Sequence, residues 1–502
     1  MPDGSLALLA DLPVELYETI IGHLSADDLT PTLLSLSRAI PRSPVPLHLL
    51  LRTVQISRPE QVVQLHRRLH RATEERSWVH HLSLHSWTLD PDVVINLIKL
   101  LPSIITLRVH IGLTFGPEHV QELVQKPLPD LKCLVLRFRP YVQRATYYQF
   151  LKGAYYDPVL TVLAAWPTSS LARLSIVQDP LDAEISKQQR FAQPLVFFRL
   201  DPLTTLINSP CLRPLISLRI SVPSRQVVRF ICNVTKSVPR LDLLDLSTCN
   251  ISLNDIEVIT SSFPDLRHLV LDRCDVGRVI ALRGGWSALG KACALSTVKR
   301  AKDREKKLKT WLERNPSLSP APAPPAAVQN AMYRRSAKAG RKGVATATIS
   351  LREPSSSSAQ APPPARPPGG TNVVKVRIYP STPKISSINT SEPDAEYEVA
   401  RGEFEEGWED GITQVFAVRN RLHTSWKNKI KVMRFTEETI SGEGFDGLED
   451  IPDAEYFDGA IAELAAVRTP LLCLSGVGAG GSEHALRCGH KEVETAWGDA
   501  YQ

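Results

Sequence analysis

Apolar residues recur along this chain in the pattern L-x-x-L-x-L, with Ile or Val allowed at the Leu positions. The units begin at Val79 (VHHLSL), Ile104 (IITLRV), Leu131 (LKCLVL), Leu171 (LARLSI), Leu215 (LISLRI), Leu241 (LDLLDL) and Leu266 (LRHLVL). The successive intervals are 25, 27, 40, 44, 26 and 25 residues. In each unit the two inner apolar residues share one face of a short strand, and the leading residue packs the turn before it. Stacked side by side, such units bury a continuous apolar ladder that none could bury alone. Between the strands the pattern changes to helical spacing. Pro91–Leu101 has Asp90 as its cap and Pro91 in its first turn, and Pro117–Val124 and Asn254–Ser262 read similarly.

Four of the six intervals fall within the 20–29 residues of a leucine-rich repeat. The two long ones predict inserted loops at about 140–160 and 180–210. The last two units continue as LDLSTCN and LVLDRCD, placing Cys249 and Cys274 where this repeat uses Cys or Asn to satisfy backbone groups leaving the strand. The expected fold class is α/β, with a leucine-rich-repeat solenoid and its N-terminal cap over 56–285. Exposed strand positions Ser83, Arg108, Arg219, Asp245 and Asp272 are candidate partner contacts on the strand face.

The first fifty residues follow a different rhythm. Leu12-Pro13 leads into a helix from about Val14 to Leu24, with Leu16, Ile20, Ile21 and Leu24 forming one apolar stripe. Thr30 caps a second helix with Pro31 at its first position, carrying Leu33, Leu34, Leu36 and Ile40. A third apolar piece runs from Leu47 to Leu51. So small a unit holds little core of its own, and its surplus of Leu and Ile suits a docking element. A strand at Val54–Ile56 and a Pro-started helix from Pro59 to about Leu69 join it to the repeats.

The stretch LPVELYETIIGHLSADDLTPTLLSLSRA is similar to an F-box: L-P-x-E-L, Ile at helical spacing, then a D-L pair opening a second helix. With the repeats behind it, the chain resembles the F-box and leucine-rich-repeat proteins of fungi. The resemblance implies a helical F-box-like domain at 1–55 that binds a Skp-family adaptor, and through it a cullin. The repeats would then hold an unknown protein substrate for ubiquitylation. Carried onto matching positions, the adaptor-binding residues would be Leu12, Pro13, Glu15, Leu16, Ile20, Leu24 and Leu29. The chain departs from the family after SRA, where no Trp follows and the SPVP segment intervenes. Without the ubiquitin link, the same pattern describes a repeat-based interaction scaffold.

Beyond about residue 285 the repeat stops. Residues 286–314 read as a basic helix, exposed over Lys299–Arg314, with eight basic and three acidic residues in that stretch. Residues 315–371 are rich in Pro, Ala and Ser and cannot bury enough apolar surface to offset ordering entropy. Residues 372–502 read as a largely disordered or weakly ordered tail with isolated pieces, among them a strand at Val373–Tyr379 and an acidic run at Glu392–Asp410.

Net charge is +6 over 502 residues, so nucleic acid is not an expected partner. The basic cluster Arg334, Arg335, Lys338, Arg341 and Lys342 would carry that role if the chain had it. No apolar run is long enough to span a membrane, and the N-terminus lacks a secretory pattern. Eight cysteines without a C-x-x-C pair suit a reducing compartment, cytoplasmic or nuclear. Gly476-x-Gly478-x-x-Gly481 matches the letters of a dinucleotide fingerprint, but too few residues follow it for the βαβ unit. His484, Cys488 and His490 have metal-ligand chemistry but no second cluster to complete four ligands, so no metal, cofactor or catalytic residue is assigned.

Overall fold

The computed structural model describes residues 12–24, 26–41, 44–112, 114–139, 156–167, 171–180, 197, 199–232, 240–274, 276, 280, 285–314, 376–391, 397–435, 447–475 and 487–498. The loop insertions 140–155 and 181–196, the Pro-rich stretch with its basic cluster, Gly476, Gly478, Gly481 and His484 lie outside the described residues.

A ten-stranded parallel sheet organises the chain. Its strands are β1 (Thr53–Ile56), β2 (His81–Leu84), β3 (Thr106–Ile111), β4 (Cys133–Phe138), β5 (Arg173–Gln178), β6 (Ser217–Ser221), β7 (Leu243–Asp245), β8 (His268–Val270), β10 (Ser387–Asn389) and β13 (Leu471–Cys473), hydrogen-bonded in that order. Each neighbour pair runs parallel, so each connection returns over one face, as parallel pairing requires. The helices α4 (Pro59–Arg71), α5 (Pro91–Lys99), α6 (Pro117–Gln125), α7 (Asp157–Ala164), α8 (Pro202–Ile207), α9 (Val228–Cys232) and α10 (Leu253–Ser262) make those returns.

The core explains the repeat. Leu82, Leu107, Leu134, Leu174, Leu218, Leu244, Leu269, Ile388 and Leu472 lie in one row of the register. They pack with the helices in a single apolar cluster. The seven leading residues Val79, Ile104, Leu131, Leu171, Leu215, Leu241 and Leu266 are all buried in it too. Asp90 accepts hydrogen bonds from the backbone of Asp92 and Val93 at the start of α5, as its position predicts. The thiol of Cys249 donates to the Ile220 carbonyl at 3.2 Å, and that of Cys274 to the Leu246 carbonyl at 3.3 Å. The Cys274 thiol shares the Leu246 carbonyl with the backbone N–H of Cys249, 3.1 Å away.

The C-terminal region departs from the expectation of a mostly unstructured tail. Two of the ten strands, β10 and β13, come from it. So do α12 (Tyr397–Lys427), α13 (Ala454–Ala465), α14 (Gly489–Trp497) and a small second sheet of β12 (Leu448–Asp450), β11 (Lys431–Phe435) and β9 (Val376–Ile378). The acidic run continues into α12, and that helix packs along α11 (Trp286–Arg314) through small residues. A Cβ on Gly290 would collide with the Phe404 carbonyl, and one on Gly407 with that of Ser287. Nor is α11 simply exposed. Arg300 is buried, donating from Nε to Ser261 O at 2.9 Å and from Nη2 to Thr260 O at 3.0 Å, so its cation closes the C-terminus of α10.

The N-terminal unit consists of α1 (Val14–Gly22), α2 (Ala26–Ala39) and α3 (His48–Arg52), and α3 runs directly into β1. The second helix starts at Ala26, earlier than its proline suggests, and holds Pro31 in its interior. Asp28, near its start, suits the positive end of the helix dipole.

Candidate functional site

Two faces carry the residues singled out from sequence. The first is the sheet face opposite the helices α4 to α10. One register row crosses all ten strands there: Gln55, Ser83, Arg108, Val135, Ser175, Arg219, Asp245, Val270, Asn389 and Cys473. Four of the five predicted partner contacts stand in it, and Asp272 lies two residues beyond Val270. They are less open than expected. Ser83, Arg219, Asp245 and Asp272 are buried and Arg108 is half-buried.

Much of this cover is the chain's own C-terminus. Val493, Ala496 and Trp497 of α14 pack on Cys133, Val135, Leu243 and Val270. A Cβ on Gly489, at one end of α14, would lie 2.5 Å from Asn389 Oδ1 on β10, and one on Gly498, just past the other end, 3.2 Å from the Arg108 guanidinium on β3. In a flat sheet these strands, six steps apart, would be about 29 Å from each other. A nine-residue helix rises only about 14 Å. The face therefore curves around α14. Beneath it, Arg219 Nε pairs with Asp245 Oδ2 at 3.1 Å, and Asp245 Oδ1 accepts from Ser247 N at 3.0 Å and Ser247 Oγ at 2.6 Å. A buried carboxylate needs that partnership to offset its lost hydration.

Where α14 begins, five polar side chains from the ends of three strands and from the start of the helix converge. Cys473 ends β13, and Cys488 and His490 flank the first residue of α14. Asp272 follows β8, and Asn389 ends β10. His490 Nδ1 lies 3.3 Å from Cys488 Sγ and 3.6 Å from Cys473 Sγ. Its Nε2 bonds Asp272 Oδ2 at 2.7 Å, and Asn389 Nδ2 donates to Cys488 Sγ at 2.9 Å. All five residues are buried. Cys473 accepts a hydrogen bond from Cys488, which with His490 outweighs burial and holds its thiol far below the usual range. The donor role and burial push Cys488 the other way. Burial disfavours charge on His490, but its bonds to Asp272 and Cys473 prevail and raise it to about 9. Burial raises the Asp272 carboxyl against the opposing bond from His490.

Cys488 and His490 stand out in the sequence together, with His484, for their metal-ligand chemistry, and Asp272 as a strand-face contact, whereas nothing in the sequence marks Cys473 or Asn389 as their neighbours. Cys473 lies 15 positions before Cys488 in the chain, and the pairing of β13 with β10 sets it beside Asn389, which bonds Cys488.

The second face is on the N-terminal helices. Tyr17, Ile21 and Leu33 form their small core, with Leu12, Leu24 and Leu29 partly buried against it. The expected stripe is thereby split. Leu16 and Ile20 point outward, 47% and 53% exposed, and Leu34 and Leu47 are also exposed, at 39% and 46%. Pro13 sits extended at the entry of α1, and Glu15 in its first turn is exposed. His48 Nε2 on α3 lies 3.3 Å from Glu18 on α1, and the His48 ring meets Trp78 edge-on at 6.1 Å, tying the unit to the sheet region. Among the described residues no helix is long and apolar enough to cross a membrane. No protein-family model matches this chain, and no curated protein matches it either.

Proposed function

We propose that this chain is a substrate receptor. Its N-terminal helices dock a Skp-family adaptor, and its strand-and-helix repeats, read as a leucine-rich-repeat solenoid, hold a protein destined for ubiquitylation. The observation that carries the reading is the outward pair Leu16 and Ile20, with Leu34 and Leu47 also exposed, on a unit whose own core is already supplied by Tyr17, Ile21 and Leu33. Isolated exposed apolar side chains are ordinary; several on one small helical unit mark an interaction surface. Leu16 and Ile20 are among the positions that the F-box resemblance assigns to adaptor contact. Sequential parallel strands and a face that curves around α14 support the solenoid reading.

The placement of α14 moves the substrate contact. Arg219, Asp245 and Asp272 are internal, so the substrate would meet the ends of β2 to β4. There Trp87 stacks on His110 with ring centroids 4.4 Å apart, and Arg137 and Arg139 each lie 5.9 Å from the Trp87 ring. Aromatic and arginine side chains together are the residue types that dominate interface energetics.

The test is retention of a purified Skp-family adaptor by the full chain, beside the Leu16→Asp/Ile20→Asp variant. Both positions are exposed, so the variant keeps its fold, while two carboxylates in an apolar interface abolish binding. No retention by the folded wild-type chain refutes the proposal and leaves a repeat scaffold with a helical cap.

A further inference from the structure

Cys473, Cys488 and His490 present one ligand atom each, and the three atoms lie within 4.8 Å of one another. We propose that they bind a zinc ion that fastens α14 across the sheet face. The inference does not depend on the adaptor reading.

The separations suit three corners of a tetrahedral site, with the fourth left to water or another small ligand. Zinc bonds of about 2.3 Å to sulfur and 2.0–2.1 Å to nitrogen put neighbouring ligand atoms about 3.5 Å apart for S and N. The observed separations from His490 Nδ1 are 3.3 Å and 3.6 Å. Two thiolates with an imidazole are a donor set for zinc rather than for magnesium or calcium, which take oxygen.

The surroundings are those of a metal ligand set. A ligating histidine orients itself by giving its other ring nitrogen to a carboxylate. Here Nε2 meets Asp272 at 2.7 Å, so Nδ1, which lies near both sulfurs and 3.2 Å from Asn389 Nδ2, is the nitrogen that would face an ion once deprotonated. Asn389 donates to Cys488 Sγ at 2.9 Å and is itself fixed by Ser387 Oγ at 3.1 Å, the support a thiolate ligand requires. None of the eight cysteines is in a disulfide. A nucleophilic role for this thiolate is disfavoured by burial: reactive cysteines are partly exposed, and Cys473 and Cys488 are 5% and 0% exposed.

The position gives the ion a structural role. Cys473 belongs to the last strand of the sheet, and the other two ligands bracket the first residue of α14. An ion there ties the helix to the sheet at the end opposite Trp497, in addition to its apolar packing.

The test is metal content of the full chain, purified under reductant and without chelator, with cobalt substitution as the spectroscopic probe. The expected result is about one equivalent of zinc per chain. Cobalt should give thiolate-to-metal charge transfer and intense tetrahedral visible bands. Cys473→Ser/Cys488→Ser should lose both. Asp272→Asn, which removes a supporting residue and no ligand, should retain the ion with affinity reduced about 10- to 100-fold. Should the double variant fail to fold, the Asp272→Asn affinity and the cobalt spectrum of the wild type decide the matter. A folded wild-type chain that takes up neither zinc nor cobalt overturns the proposal. So does metal content unchanged in a folded double variant, or an Asp272→Asn chain that binds as tightly as wild type.

Discussion

Removing the Trp497 side chain tests whether α14 is a docked cover on the sheet face. Trp497 is fully buried against Cys133, Val135, Leu243 and Val270, and Cys133 is 4% exposed. Truncating a buried Trp to Ala costs about 3–5 kcal/mol through lost transfer energy and the cavity left behind. Only Val493 and Ala496 would then remain on the apolar side of the contact, beside the bond between His490 and Asp272. The loss falls on a short terminal helix, so it appears as local opening rather than global unfolding. At about 1.4 kcal/mol per factor of ten, the open population rises by roughly two to four orders of magnitude. The Cys133 thiol reports it. Burial raises that thiol above its ordinary range and shields it from reagents. Alkylation under native conditions, followed by peptide mass spectrometry, should label Cys133 in Trp497→Ala and spare it in the wild type. Cys211, Cys249 and Cys293, packed in the main core, should stay protected in both. Unchanged Cys133 labelling and unchanged amide protection over 489–497 would refute the assignment of α14 as the cover.

Two further predictions concern charge inside the fold. Arg219→Leu strands the Asp245 carboxylate in the interior and should lower unfolding stability by about 3–5 kcal/mol, measured by denaturant titration, with part recovered in Arg219→Leu/Asp245→Asn. A loss within 0.5 kcal/mol or so would mean that the pair contributes nothing. His110 is held down to about 4 by burial, with His85 and Arg137 nearby adding to the effect, while its ordinary value is 6.5. Below that ordinary value the unfolded chain takes up a proton that the native state declines, so its stabilising contribution is complete above 6.5 and shrinks as pH falls toward about 4. His81 and His268 are shifted the same way, chiefly by burial. His110→Gln should therefore flatten the acid limb of a stability-against-pH curve, and an unaltered limb would contradict the assigned environment.

Much of the sheet was legible because its signal is local. Each of the seven units carries its own three apolar anchors, and every leading anchor is buried. The two missed strands each break the pattern once. Ile385-Ser-Ser-Ile388-Asn-Thr390 ends in Thr, and Thr469-Pro-Leu-Leu472-Cys-Leu474 begins with one. They also stand far from the regular spacing, with Ser387 paired to His268 across 119 residues of chain. Four of the five candidate strand-face positions do share one register row, but their burial was not foreseeable. It depends on a nine-residue helix whose apolar residues Val493, Ala496 and Trp497 are too few to announce a destination. The N-terminal stripe was misassigned for a related reason. Periodicity identifies an apolar side, yet Tyr17 and Ile21 turn inward while Leu16 and Ile20 turn out, a division set by where α2 packs. The cysteine–histidine cluster needs register, since only pairing of β10 with β13 sets Asn389 beside Cys473.

Hydrogen–deuterium exchange of the full chain, with and without a purified Skp-family adaptor, tests the central claim most directly. The account predicts slowed exchange in the complex over residues 12–24 and 26–39, where Leu16, Ile20 and Leu34 lie, with strands β4 to β8 unchanged. Absence of protection on these helices at saturating adaptor, or protection confined to the sheet or to α14, would contradict it.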